Sequence, residues 1–315
     1  MIDLNDIRKA AAGIGPYIEA TPLRASYYFS ERCGFDVYLK LENVQPTGSF
    51  KVRGALNLIR SIPPQERMQG IVAWSAGNHA LGVAYAAQIF DVPATIFVPR
   101  TTPHSKLDKL RRFPVEIRIA DTYEQAEIEG KEFAIKEKAT IVHPYDDWRT
   151  VAGQGTIGLE LCERMPELDA IVVPVGGGGL ISGIAIAARE LDSDIRIIAV
   201  QTDASPSLPK SLEDQKCYET YPVSHSIAEG LAGGIGRIVY ELAPKFIDEI
   251  LVVEEEEVAK TVLKLLENEQ LVVEASGAAS VAALPLIESV PRGSRVAVVI
   301  SGGNLNMKLL RELLS

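Results

Sequence analysis

Cysteine is scarce in this 315-residue chain: there are three, Cys33, Cys162 and Cys217, far apart. An odd number at wide spacing gives neither a disulfide framework nor a metal-binding pattern, so three reduced structural thiols are expected. Aromatic residues are only 6% of the chain, too few for platforms on which nucleic-acid bases stack. Positive charge is also in deficit, with 32 Lys and Arg against 42 Asp and Glu for a formal net charge of −10. Without a basic run, neither nucleic acid nor an anionic membrane is an expected partner. No stretch of about 20 apolar residues occurs, so no membrane span is expected. The opening MIDLNDIRKAAAGIG lacks the apolar core of a signal peptide, which leaves a cytoplasmic location as the expectation. The four histidines, His79, His104, His143 and His225, are scattered in sequence and suggest neither a metal cluster nor a Ser–His triad. No metal ligand is assigned.

What is present is an alternation. Short β-branched runs (37–41, 71–74, 94–98, 115–119, 140–142, 170–175, 195–200, 250–253 and 295–300) are separated by helix-like stretches. Strands alternating with helices predict an α/β fold with mostly parallel sheets. The runs are continuously apolar, as strands covered on both faces are. The acidic run Glu254–Glu257 opens a helical pattern, where negative charge is favourable without any further role. Two segments echo each other: GIVAWSAGNHALGVAYAAQ and AIVVPVGGGGLISGIAIAA each run strand, small-residue turn, helix. Such a turn aims backbone N–H groups at whatever lies in front of it.

Four glycines in a row, Gly176, Gly177, Gly178 and Gly179, follow one strand. A plain turn needs one or two, and each glycine costs chain entropy. The pattern is neither the Walker sequence nor the spaced dinucleotide fingerprint. It fits a single phosphate held by backbone amides at a helix mouth. The second turn, Trp74–Gly82, reads either as a helix capped by Ser75 or Asn78 or as a seat for a carboxylate. His79 reads as structural. SGGN, from Ser301 to Asn304, leaves the last strand at its carboxyl end, where open α/β sheets bind ligands. In PTGSFKVRGA, Pro46 to Ala55, loop residues give way to Phe50 and Lys51 at the start of a helical pattern. A lysine is ordinarily a solvated surface residue. Buried beside an aromatic wall, it has a depressed pKa and forms a Schiff base with an aldehyde. A Schiff-base lysine, a phosphate cradle and a carboxylate seat together ask for a ligand with one aldehyde and one phosphate, and pyridoxal 5′-phosphate satisfies them.

SFKVRGA, SAGNHA, AGQGTIGLE, GGGGLISG and SGGN stand in the order seen in threonine/serine dehydratases and serine racemases. The chain resembles these tryptophan-synthase-β-like, fold type II pyridoxal-phosphate enzymes over nearly its whole length, and is most similar to short catabolic-type threonine dehydratases. The resemblance implies a two-domain, three-layer α/β/α fold. Residues 1–60 and 144–315 would form the large domain, and 61–143 a small domain carrying the Asn78 loop. It implies Lys51 as the cofactor-holding and catalytic lysine and Phe50 as the aromatic stacked on the pyridine ring. Asn78 would bond the phenolic oxygen, Gly176–Gly179 with Leu180 the phosphate, and Ser301 the pyridine nitrogen. Ser75, Ala76, Gly77, Asn78 and His79 would take the substrate carboxylate. A homodimer is implied by the family alone. The activity implied is β-elimination: dehydration and deamination of L-threonine, and L-serine, to a 2-oxo acid and ammonia.

Departures from the family qualify this. Serine racemases carry a proton-moving serine where this chain has Ala76, and a methyl moves no proton, so racemisation is not expected as the main activity. Gln201 and Ser207 stand where several relatives have the Glu and Asp of a divalent-cation site, so that site is not expected. Trp74 and Leu81 replace what is more often a small residue and a glutamine. The chain ends soon after SGGN, so a C-terminal regulatory domain is not expected. Alternatives are a dehydratase of another 3-hydroxy amino acid such as 3-hydroxyaspartate, with Arg53 or Arg149 as the added cation, a serine racemase, and a non-catalytic binding protein of this fold. The last requires a missing lysine, and Lys51 is present.

Overall fold

A computed structural model describes residues 1–314. Ten strands form two separate sheets. They are β1 (Leu23–Ala25), β2 (Asp36–Leu41), β3 (Ile71–Trp74), β4 (Ala94–Pro99), β5 (Glu116–Ala120), β6 (Thr140–Ile141), β7 (Ala170–Pro174), β8 (Arg196–Thr202), β9 (Glu249–Val253) and β10 (Arg295–Ile300). The six-stranded sheet has the order β1-β2-β10-β7-β8-β9 and the four-stranded sheet β5-β4-β3-β6. Every pairing is parallel except β1 with β2. This is the α/β architecture the alternation predicts. The short edge strand β1 was not expected: three residues are too few to show a period.

The central strands β7 and β10 are apolar on both faces because helices cover both. The helix Gly179–Leu191 is buried almost all round, so it carries no polar stripe. It lies against the helix Trp148–Arg164, where glycines let the backbones approach: a Cβ at Gly158 would stand 2.8 Å from the Ile184 carbonyl oxygen.

One helix joins the two sheets. Lys51–Ser61 is packed between Trp148–Arg164 on the large-sheet side and Asn78–Phe90 on the small-sheet side. A Cβ at Gly82 would stand 3.0 Å from the Lys51 carbonyl carbon, so the Asn78 helix rides directly on the lysine's backbone. Behind Lys51, Arg53 is wholly buried. It bonds both oxygens of Glu42 at 2.8 Å and both oxygens of Glu160, at 2.6 and 3.0 Å, while Lys40 reaches Glu160 at 2.5 Å. Arg53 is therefore a structural residue tying the turn that follows β2, the Lys51 helix and the Trp148 helix together.

Candidate active site

The carboxyl ends of β3, β7 and β10 open into one cavity of about 680 Å³. Phe50, Lys51, Ser75, Ala76, Gly77, Asn78, His79, Gly176, Gly177, Gly178, Gly179, Leu180 and Ser301 all line it.

Lys51 is the first residue of its helix, and its Nζ donates to the Pro144 carbonyl at 2.9 Å, 5.1 Å from the Phe50 ring centre. Burial lowers its pKa to about 8, which leaves far more nucleophilic neutral amine near neutral pH than a solvated lysine has. The segment before it is zipped to the SGGN turn by backbone bonds from Phe50 N to the Ser301 oxygen (3.0 Å) and from Gly303 N to the Gly48 oxygen (2.9 Å). Ser301 is buried, with Oγ 3.5 Å from the Ser276 carbonyl.

In the glycine run the helix begins at Gly179, and its cap, Gly178, has φ +90° and no side-chain cap bond. The N–H groups of Gly179, Leu180 and Ile181 thus have no partner one turn back in the helix. A Cβ at Gly176 would stand 2.3 Å from the Gly230 oxygen, and one at Gly177 2.2 Å from the Tyr145 ring. All four positions are therefore fixed by close approach, which explains a run longer than a turn needs.

The Ser75–His79 turn corrects one reading. Neither Ser75 nor Asn78 caps the helix: Gly77 is the cap, without a side-chain bond, and Ser75 Oγ only accepts from Gly77 N at 3.3 Å. The Asn78 side chain turns elsewhere, donating to Glu274 Oε1 at 2.5 Å and accepting from Asn304 Nδ2 at 2.7 Å. The first helical N–H groups stay open to an anion. His79 is buried with Nε2 2.7 Å from the Val142 carbonyl, an acceptor only, so Nε2 carries the proton. Burial, with the nearby Lys51 charge, lowers its pKa to about 3 and keeps it neutral.

Several lining residues escaped the sequence reading. His143 and Tyr145 pack edge to face at 4.7 Å, and Glu274 stands just before the helix Ala275–Ala282 without a side-chain cap bond. His143 is far from the other histidines in sequence, yet it stands close enough for the Lys51 charge to lower its pKa further, after burial. Only Pro144, between two such residues, could have hinted at a wall there. The stretch 218–235, which has neither helix nor strand, supplies another wall. Trp74 packs on the Tyr123–Glu137 helix, where a Cβ at Gly130 would stand 2.8 Å from the indole, and Leu81 is buried at the cavity edge. Gln201 and Ser207 satisfy each other. Gln201 Nε2 donates to Ser207 Oγ and the Val175 carbonyl, and its Oε1 accepts from Leu208 N. Asp203 accepts from Glu255 N.

An amine with a lowered pKa, an amide cradle closed to any Cβ and a buried hydroxyl fit a phosphorylated aldehyde. Fold and cleft together define a two-sheet α/β enzyme whose cleft fits such a cofactor. The chain belongs to the family described as pyridoxal-phosphate dependent enzyme, whose family model matches residues 14–302. It is 42% identical to an L-threonine ammonia-lyase of Thermotoga maritima over 100% of this chain and 79% of the relative. It is 33% identical to a catabolic L-threonine dehydratase of Escherichia coli K12, over 99% and 96%. The structure of maize serine racemase superposes with a TM-score of 0.92 at 32% identity, covering 99% and 96%.

Proposed function

We propose that this protein is a threonine/serine ammonia-lyase, converting L-threonine, and L-serine, to a 2-oxo acid and ammonia. One observation carries the choice among the family's reactions. The cleft offers the Lys51 amine as a base, whereas position 76 on the substrate turn offers only a methyl, and His79 is held neutral, its Nε2–H donated to the Val142 carbonyl.

When bound, pyridoxal phosphate supplies an electrophilic aldehyde and an electron sink for bonds at the amino acid's α carbon. The chain's part is to hold and to move protons. The amides at the mouth of the Gly179 helix would hold the phosphate, and Phe50 would give the ring a flat wall. Ser301 would offer the ring nitrogen a neutral hydroxyl, not a carboxylate that would hold a proton there, and a ring left neutral would favour prompt β-elimination. The N–H groups of Asn78, His79 and Ala80, at the first turn of the Asn78 helix, seat the substrate carboxylate. Lys51 Nζ is the general base for the α-proton. Residues 61–143 closing on the rest would exclude water.

A 3-hydroxyaspartate dehydratase would need a free cation for the second carboxylate. Arg53 is spent on Glu42 and Glu160, and Arg149 pairs with Asp147. Steady-state 2-oxo acid formation from L-threonine, L-serine and 3-hydroxyaspartate tests the proposal, with L-threonine expected to have the highest kcat/KM. A higher value for 3-hydroxyaspartate, or substantial D-serine left after partial turnover of L-serine, overturns it. We also propose a cytoplasmic homodimer. Among the described residues no helix is long and apolar enough to cross a membrane, and light scattering tests the dimer.

A further inference from the structure

Asn78 sits in a chain of hydrogen bonds that runs in one direction. Lys109 Nζ donates to Asn304 Oδ1 (2.9 Å), Asn304 Nδ2 to Asn78 Oδ1 (2.7 Å), and Asn78 Nδ2 to Glu274 Oε1 (2.5 Å). Asn304 cannot be reversed. Its second N–H goes to the Thr47 carbonyl at 2.9 Å, and a flipped amide would set oxygen against that oxygen and NH₂ against the Lys109 ammonium. Asn78 cannot be reversed either, because its NH₂ would then meet that of Asn304. Asn78 therefore has one N–H on Glu274 and exactly one more to offer the cavity. Two glycines make room for the chain. A Cβ at Gly48 would stand 2.9 Å from Asn304 Nδ2, and one at Gly302 would stand 2.2 Å from Glu274 Oε1.

We propose that Glu274 is a positioning residue: by accepting from Asn78 it fixes the amide that this chain presents to the cofactor's ring oxygen. This rests on the reading of the cleft as a pyridoxal-phosphate site. Burial supports it by holding the Glu274 carboxyl up at about 7, so its charge changes near neutrality beside Asn78. The charged groups facing it are Lys106 and Lys109 from the helix His104–Leu110 and Glu229 from the 218–235 stretch. Lys51 and His79 line the same cavity, and His79, on the Asn78 helix, stays neutral.

Two variants separate positioning from packing. Glu274→Gln keeps an oxygen that can accept from Asn78 but cannot ionise. Glu274→Leu has no acceptor. Purified protein is stripped of cofactor, its affinity for pyridoxal phosphate is measured by titration, and the absorbance of the reloaded protein is followed from pH 5.5 to 8.5, a window of about 1.5 units on either side of 7. Glu274→Gln is expected to bind within about threefold of wild type and to lose a spectral step near pH 7. Glu274→Leu is expected to bind about tenfold more weakly, with an apo-protein melting temperature close to that of wild type. Equal affinities in all three proteins, or a step that survives in Glu274→Gln, overturn the proposal. So does equal weakening in both variants accompanied by lower melting temperatures, which is a packing effect. A wild type that binds no cofactor overturns the reading of the cleft itself, and the assignment of Glu274 with it.

Discussion

Lys51 owes its chemistry to its surroundings. A solvated lysine holds its proton to about pH 10.4, whereas this one gives it up near 8 because the cleft disfavours the charge. The neutral amine is the nucleophile, so apo-protein should take up pyridoxal phosphate at a rate that rises with pH and levels off above about 8. Stopped-flow absorbance checks this, and a rate still climbing steeply beyond pH 10 contradicts it. Lys51→Ala should abolish the band expected at about 410–420 nm. The lysine was legible in sequence because Phe50 and the loop before it are its neighbours in the chain. Glu274 and Tyr145 were not, because what makes them site residues is contact with Asn78 and with the glycine run, at separations sequence patterns do not carry. Arg53 shows the same limit: Glu160, one of its partners, is 107 residues away.

At the level of elements, the strongest signals were those with a local physical cause. Parallel strands buried on both faces, such as β7 and β10, read as apolar runs, whereas the edge strand β5 is largely exposed; the observed ends of all of them fall within a residue or two of the expected ones. The glycine run read as an anion seat because no simpler turn needs it. Of the two readings of the turn at Asn78, the cap is not realised: a polar residue at a helix mouth usually caps it, but the tertiary partners Glu274 and Asn304 draw this side chain away. Gly178→Ala should cost about 1–3 kcal/mol in denaturant unfolding of the apo-protein, from the left-handed backbone and from a Cβ standing 2.3 Å from that of Val239. Cofactor affinity should fall as well, since the cradle moves with the cap. An unchanged midpoint and affinity would contradict this account of the loop.

On the scale of the whole molecule, the buried cluster behind Lys51 governs how the parts hold together. Burial alone would raise the Glu42 pKa; the Arg53 charge and hydrogen bonds more than offset this and hold it below the ordinary carboxylate range. The stability contributed by that depressed pKa is fully present above the ordinary carboxylate value and is lost as pH falls through the folded one. Arg53→Met should destabilise the protein by about 3–5 kcal/mol at neutral pH, since Glu42 then stays buried without its cation. The gap to wild type should narrow in acid as Glu42 protonates. Urea melts of both proteins from neutral pH into the acid range check this, and a gap that does not change with pH contradicts it.

The bare position at Gly302 has a consequence for how this sequence can drift. The atom a methyl there would strike is the free end of the Glu274 side chain, which can swing aside at little cost. Gly302→Ala should therefore melt near wild type yet bind the cofactor as weakly as Glu274→Leu, and the double variant should be no worse than either. Selection for stability alone would not see such a change. A lineage that stopped using this cleft would be expected to shed the glycine at 302 early, while its fold stayed intact.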